Sequence, residues 1–485
     1  MIDHPPSQPC RVIGVLDDGP AGLTPAALAA LGAADLVIGG RRLLELCAGH
    51  YAPSAERRDL TGRLTQVPDW ITAVLATGRR VVVLATGDPL FHGIAGYLST
   101  RLPPGVLEVL PNLSTLQLAC ARLGLAWQDL RLVSVHGRDS GEWQEGAGPE
   151  HGLYLILQAL REIEDVRGDT ALAPSPMTHN GRPEVGGGLA LAPPLPNHPV
   201  PGESGRGVRM AHLAILTSPA NSPDRIARLL LQEGLGDACR LTVAARLCRP
   251  DEQVSLDLPP ASAATMRFPE PNLVVLTLTA PCRPPVRFGL ADESFLQRQP
   301  DRGLITKREV RALSLARLQL RGDSILWDIG AGSGALGLEA ARLCPQGFVH
   351  AIEKNPADAA IARENRRRLG ITNYRLTQAK APAGLADWPD PDAIFIGGSG
   401  GELPELIRLA LNRLRGDGWL VMNFVTFENL NLAMTILKEL QVTWDLTQLQ
   451  AARSQSLLDM HRLVPENPVW VLAATPRGTA LDDAH

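Results

Sequence analysis

Three glycines and two carboxylates form the most specific chemical pattern in the chain. Asp328-Ile329-Gly330-Ala331-Gly332-Ser333-Gly334 follows the apolar run Ile325 to Trp327 and precedes a run of helix formers, Ala335 to Leu343. The apolar run suits a parallel strand covered on both faces. The glycines allow a sharp turn and the approach of a ligand where a Cβ would stand, and the following residues favour a helix. Glu353, nineteen residues beyond Gly334, closes a second apolar run, Val349 to Ile352. A carboxylate at the tip of a second strand is placed to accept hydrogen bonds from a ribose diol. The chemistry implied is the holding of a nucleoside-bearing cofactor.

Dinucleotide enzymes and methyltransferases that use S-adenosylmethionine share that arrangement. The D-x-G-x-G-x-G order, in place of G-x-G-x-x-G, favours the second. Further along, Asp392-Ala393-Ile394-Phe395-Ile396 reads as another buried strand and ends in Gly397-Gly398-Ser399-Gly400-Gly401, which implies close approach of a ligand or of a neighbouring backbone. Upstream, Thr306-Lys307-Arg308-Glu309-Val310-Arg311 carries three cations. An isolated run of this kind is ordinarily a solvated helix face. At the mouth of a nucleoside fold its cations are candidates for gripping substrate carboxylates. In the first third of the chain, Val12 to Gly19 and Leu84-Ala85-Thr86-Gly87-Asp88-Pro89 each place a turn after a strand, and Ser114 and Thr115 put hydroxyls at a helix start. Turn chemistry and helix capping account for these equally well when each is taken alone. No Ser-His-Asp arrangement is evident, and no residue is assigned as catalytic.

The elements that must position these groups fall into regions. Residues 10–139 alternate strand-like and helical runs, as do 212–279 and 286–474. Between the first two, 140–207 is rich in Pro and Gly and reads as an ill-ordered insertion in which Leu153 to Leu160 alone suits regular structure. Residues 281–285 carry three prolines and read as a linker. The 485 residues are too many for one core. With 45% apolar and 20% charged residues, disorder is not the dominant state. A net charge of −4 offers no footprint for nucleic acid, and no apolar run approaches the ~18 residues of a membrane span, nor is there a signal-peptide pattern. Seven scattered cysteines without a C-x-x-C pair suit core positions in a reducing cytoplasm rather than a metal site or disulfide framework.

Gly289 to Phe295, Ile305 to Arg311, Leu326 to Gly334, Phe395 to Gly401 and Asn423 to Leu430 together resemble the decarboxylating precorrin methyltransferases of cobalamin synthesis. The likeness spans nearly all of residues 286–474. Val12 to Gly19, Gly39 to Leu43, Leu84 to Phe91, Pro111 to Gln117 and Val133 to Arg138 resemble the other precorrin methylase class, in its carbon-5 methylating member. The second lobe departs from that class at Ser218 and at Leu247-Cys248, where an Asp and a Leu-Gly pair are usual.

The resemblance implies an α/β chain in two units. Residues 1–280 would form a two-lobed αβα tetrapyrrole methylase (class III) fold, and residues 286–485 a Rossmann-like class I methyltransferase fold. It implies S-adenosylmethionine as cofactor, held by Gly330, Ala331, Gly332, Gly334, Glu353 and Ala381 in one unit and by Gly87, Asp88, Ser114 and Thr115 in the other. Ala379 and Lys380 replace a usual Gly and acidic residue, so backbone groups would meet the adenine. A tetrapyrrole substrate would be met by Thr306, Lys307, Arg308, Arg311, Asn423 and Thr426. The expected chemistry is methylation at carbons 5 and 15 with loss of carbon dioxide from an acetate side chain. A cytoplasmic homo-oligomer without metal is expected.

Overall fold

The computed structural model describes residues 8–170, 211–280, 288–298 and 305–476. The Pro-rich linker expected at 281–285 lies outside them, as does 171–207 of the expected insertion.

Strands β1 (Cys10–Val15), β2 (Leu36–Gly39), β3 (Glu56–Asp59), β4 (Val81–Thr86) and β5 (Leu107–Leu110) form a parallel sheet in the order β3-β2-β4-β1-β5. Val12, Leu36, Ile38, Val81 and Val83 pack into one core and Ile13, Val15, Val37, Val82 and Leu84 into another. Runs apolar at every position are what a sheet covered on both faces requires, because successive side chains point to opposite sides.

A second sheet takes β6 (Leu130–Ser134), β7 (Ala211–Leu216), β8 (Cys239–Ala245), β9 (Gln253–Leu258) and β10 (Asn272–Leu278) in the order β6-β7-β10-β8-β9. Its two faces have different partners. Ala214, Ala244, Leu273 and Val275 meet Leu116, Ala119 and Cys120 of the helix Thr115–Leu123, which leads out of the first sheet. Leu213, Ile215, Val274 and Leu276 face the helices Tyr154–Thr170 and Pro223–Gln232.

The expectation that 140–207 packs little is therefore overturned for its first part. Trp143, Leu153, Ile156 and Leu157 are at most 4% exposed and lie in the core of the second sheet. The apolar run was legible, but its Pro/Gly-rich flanks hid that it closes a layer.

The third sheet uses β11 (Ile325–Ile329), β12 (Phe348–Glu353), β13 (Tyr374–Gln378), β14 (Ala393–Ile396), β15 (Trp419–Phe424) and β16 (Thr443–Leu449). A hairpin of β17 (Ala452–Leu457) and β18 (Met460–Pro465) follows, and then β19 (Val469–Thr475). The order is β13-β12-β11-β14-β15-β19-β16, parallel through β15, with β19 antiparallel to both its neighbours. Leu326 and Phe395 point to one core, Trp327, Ile329, Ile394 and Ile396 to the other. Phe348, at the start of β12, instead joins the core of the second sheet.

Candidate active site

From β11 the chain steps to β12 and β13 on one side and to β14 and β15 on the other. Ligands in open α/β sheets bind beyond the carboxyl ends of the strands at such a reversal. A cleft of about 720 Å³ opens there, lined by the turns after β11, β12, β13 and β14.

Backbone geometry explains the glycines. Gly330 has φ +76°, and a Cβ on it would stand 2.4 Å from the Gly398 carbonyl oxygen. The two glycine turns thus meet main chain to main chain, which a side chain at Gly330 would prevent. The amides of Gly330 and Ala331 both donate to Ile352 O, at 2.9 and 3.1 Å. Gly332, at φ +56°, donates its N–H to Glu353 Oε2 at 2.8 Å, and Asn355 donates its own to Oε1 at 2.8 Å. Glu353 is buried, with one backbone donor on each oxygen. A carboxylate so held keeps a fixed orientation and spare lone pairs for two ligand hydroxyls.

Asp328 is the residue that the sequence reading left unassigned. It lines the cleft; Oδ2 accepts the Gly337 N–H at 3.1 Å, while Oδ1 is buried without a hydrogen-bond partner. Burial, with Glu353 adding repulsion, pushes its carboxyl up to about 7. Its place at the head of the glycine motif was the available signal. Ser333, also lining the cleft, has a buried hydroxyl without a partner. Lys354, Asn355, Asp358 and Ser399 line it too. Ser399 belongs to the glycine run after β14, whereas Lys354, Asn355 and Asp358, around the start of the helix Pro356–Arg368, carried no pattern in the sequence.

Of the expected cofactor residues in this unit, Gly330, Ala331, Gly332, Glu353 and Ala381 line the cleft. Gly334 does not; at φ +79° it caps the helix Ala335–Leu343 and turns the chain into it. Lys380 lines the cleft with its ammonium on Glu402 Oε1 at 2.6 Å.

The basic segment divides. Thr306 and Lys307 line the cleft, whereas Arg308 lies outside it beside Glu309, at 3.7 Å. Arg311 is a correction. It is wholly buried, bound to Glu339 Oε2 at 2.6 Å, Asp292 Oδ1 at 3.1 Å and Thr306 O at 2.7 Å. Its guanidinium has no face left for a substrate carboxylate, and instead it pins the strand of chain that carries Thr306. Asn423 lines the cleft and shares hydrogen bonds with Ser314 Oγ, at 3.0 and 3.1 Å. Thr426, at the start of the helix Phe427–Glu439, is exposed and outside the cleft.

In the N-terminal unit the ends of β1 and β4 touch. A Cβ on Gly14 would lie 2.2 Å from Gly87 O, and Asn112 Nδ2 donates to Gly14 O at 3.1 Å. Gly87 has φ +64°, and Asp88 Oδ1 accepts the Leu90 N–H at 2.9 Å, closing the turn. Ser114 is buried in a reciprocal capping box with Gln117, so its hydroxyl is spent on the helix start. Thr115 beside it is half-buried. Asp17 binds both Arg42 of the first lobe and Arg249 of the second, joining the lobes across this end.

Among the described residues no cluster of His, Cys, Asp or Glu has metal-ligating geometry, and no helix is long and apolar enough to cross a membrane. The six cysteines described are free.

Comparison with known proteins fits both units. Residues 10–169 match the family of tetrapyrrole (corrin/porphyrin) methylases, and residues 299–475 match the precorrin methyltransferase domain. A precorrin-6Y C(5,15)-methyltransferase (decarboxylating) of Sinorhizobium is 33% identical over 420 residues, which is 86% of this chain and 84% of that one. A cobalt-precorrin-6B C(15)-methyltransferase (decarboxylating) of Salmonella typhimurium is 40% identical over 185 residues, 38% of this chain and 94% of its own. A solved precorrin-6Y C5,15-methyltransferase of Geobacter metallireducens is 37% identical over 39% of this chain and 99% of its own, with a TM-score of 0.38. With a tetrapyrrole methylase fold in front, a class I methyltransferase fold behind, and one relative aligned across both, the chain belongs to the two-unit family of decarboxylating precorrin-6Y C(5,15)-methyltransferases.

Proposed function

We propose that the chain methylates precorrin-6Y at carbons 5 and 15, using S-adenosylmethionine, and removes carbon dioxide from an acetate side chain to give precorrin-8x. The N-terminal unit is assigned carbon 5, and the C-terminal unit carbon 15 and the decarboxylation. The observation that carries this reading is the cleft beyond β11, where Gly332 and Glu353 are locked together by a hydrogen bond. Its size suits a small-molecule site.

In the C-terminal unit, Glu353 holds the ribose hydroxyls, the Gly330–Gly332 backbone admits the cofactor's chain, and the main chain at Ala381 faces the adenine. Asp328, with one unpartnered oxygen, is the acceptor for the cofactor's amino group. In the N-terminal unit Gly87, Asp88 and Thr115 border the corresponding place between the lobes.

The cofactor supplies a methyl already activated for attack by a ring carbon. The chain's part is orientation and exclusion of water, on the order of 7–11 kcal/mol where geometry is good. Thr306, Lys307 and Asn423 meet the macrocycle's rim. Lys307 holds peripheral carboxylates without stabilising the one that leaves, since binding that lowers ground and transition states equally does not speed the reaction. The six cysteines among the described residues, all free, fit a reducing cytoplasm.

The test is mass spectrometry of the products of full-length Gly332→Asp, in which a side chain and a charge enter the cleft. A product one methyl heavier with its carboxylate retained is expected; continued loss of carbon dioxide would refute the assignment of the C-terminal cleft. Because a relative is named for a cobalt-precorrin, the same chemistry on cobalt-containing rings is the second reading. Parallel assays with metal-free and cobalt-loaded substrates separate the two.

A further inference from the structure

The N-terminal and C-terminal units are joined by buried charge. Glu233, the C-cap of the helix Pro223–Gln232, accepts Trp143 Nε1 at 2.9 Å and the Gly146 N–H at 3.4 Å on one oxygen. Its other oxygen binds the guanidinium of Arg366, from the C-terminal unit. The two side chains of this ion pair are 0% and 4% exposed. At the rim, Glu145 binds Arg366 at 3.1 Å and Arg367 at 3.2 Å.

Arg161, buried on the helix Tyr154–Thr170, reaches across to Pro345 O at 2.9 Å and Thr372 Oγ1 at 2.7 Å. Arg375 donates back to Gly146 O at 2.8 Å and pairs with Glu150. Phe348 completes the apolar part, edge-on to Tyr154 with ring centroids 5.9 Å apart inside the core of the second sheet.

Two surfaces that merely touch because a linker holds them near do not bury matched charges. Separation would leave Glu233 and Arg366 each without its buried partner, so both units are shaped for the joined state. We propose that residues 143–163 are a docking element that locks the two methyl-transfer units into one body, independently of the covalent connection at 281–285. The partner it fits is the face formed by the end of the helix Pro356–Arg368 and the starts of β12 and β13.

The experiment places a protease site within 281–285 of the full-length chain, cuts the purified protein, and follows the halves by analytical ultracentrifugation at micromolar concentration. The cut protein is expected to sediment as the uncut protein does, with both halves in the same species. Glu145→Arg, at the rim, sets a cation against Arg366 and Arg367 and is expected to weaken association of the cut halves at least tenfold. Should that variant not fold, Arg375→Glu, which faces Glu150, takes its place with the same expectation. Separation of the cut wild-type halves overturns the proposal. So does association of both cut variants as tight as wild type.

Discussion

At the scale of single residues, the C-terminal unit buries ionisable groups whose environments work in opposite directions. Glu353→Ala is expected to weaken S-adenosylmethionine binding at least tenfold, since each charge-assisted hydrogen bond contributes about 1.5–3 kcal/mol. Calorimetry combined with thermal melts separates the roles. A lower melting temperature with unchanged affinity would make Glu353 a brace for Gly332 and nothing more. Asp328 has its carboxyl raised from 3.8 to about 7 by burial, and His350, buried beside Arg375, is lowered from 6.5 to about 4. The stability tied to Asp328 is present in full below its unfolded value and is lost as pH rises towards 7. That tied to His350 is present above 6.5 and is lost as pH falls towards 4. Each is on the order of a few kcal/mol. Denaturant titrations of the cofactor-free chain across pH 4–7 should show the two slopes cancelling in part in the wild type. Asp328→Asn should leave stability rising with pH, and His350→Gln should leave it falling.

At the scale of elements, the glycine turn is a main-chain joint. Gly330→Ala must move Gly398 from a contact of 2.4 Å and hold alanine at φ +76°. A loss of about 1–3 kcal/mol and of C-terminal cofactor binding is expected, read by denaturation and calorimetry; wild-type affinity would mean that the two turns part without consequence. Leu157→Ala, in the helix Tyr154–Thr170, should cost about 2–5 kcal/mol of stability as a core truncation. A near-neutral result in denaturant melts would restore the view of this stretch as a dispensable insertion. The turn, the strand–helix alternation and Glu353 were legible because each rests on local rules: strand burial, glycine freedom and fixed spacing along one βαβ unit. Arg311 was misread because nothing local marks a cation as enclosed. Its partners Asp292 and Glu339 come from elements that meet only in three dimensions. Ser114 and Gly334 were read as cofactor contacts because they belong to motifs, yet their geometry goes into starting helices, the capping role that the sequence also offered for Ser114.

At the scale of the whole molecule, the second sheet stands between the two reaction sites. One face packs on the helix leading from the first lobe, and the other, through its helix layer, on the C-terminal unit. Docking uses Phe348 at the start of β12, whereas the cleft opens past Glu353 at its end. A strand of that length spans ~20 Å, and a packed sheet and helix layer add ~10 Å each. The docking contact and the C-terminal cleft therefore lie at opposite ends of β12. On this arrangement a half-modified ring is expected to leave the first site and reach the second through bulk water. Isotope dilution should report this. When unlabelled, singly methylated ring is added during turnover of labelled substrate, label in the final product should fall in proportion to the amount added. Undiminished label would mean direct transfer. If label falls as expected, covalent fusion secures equal copy number of two enzymes and leaves the ring between them open to oxidants and to any other protein that binds it.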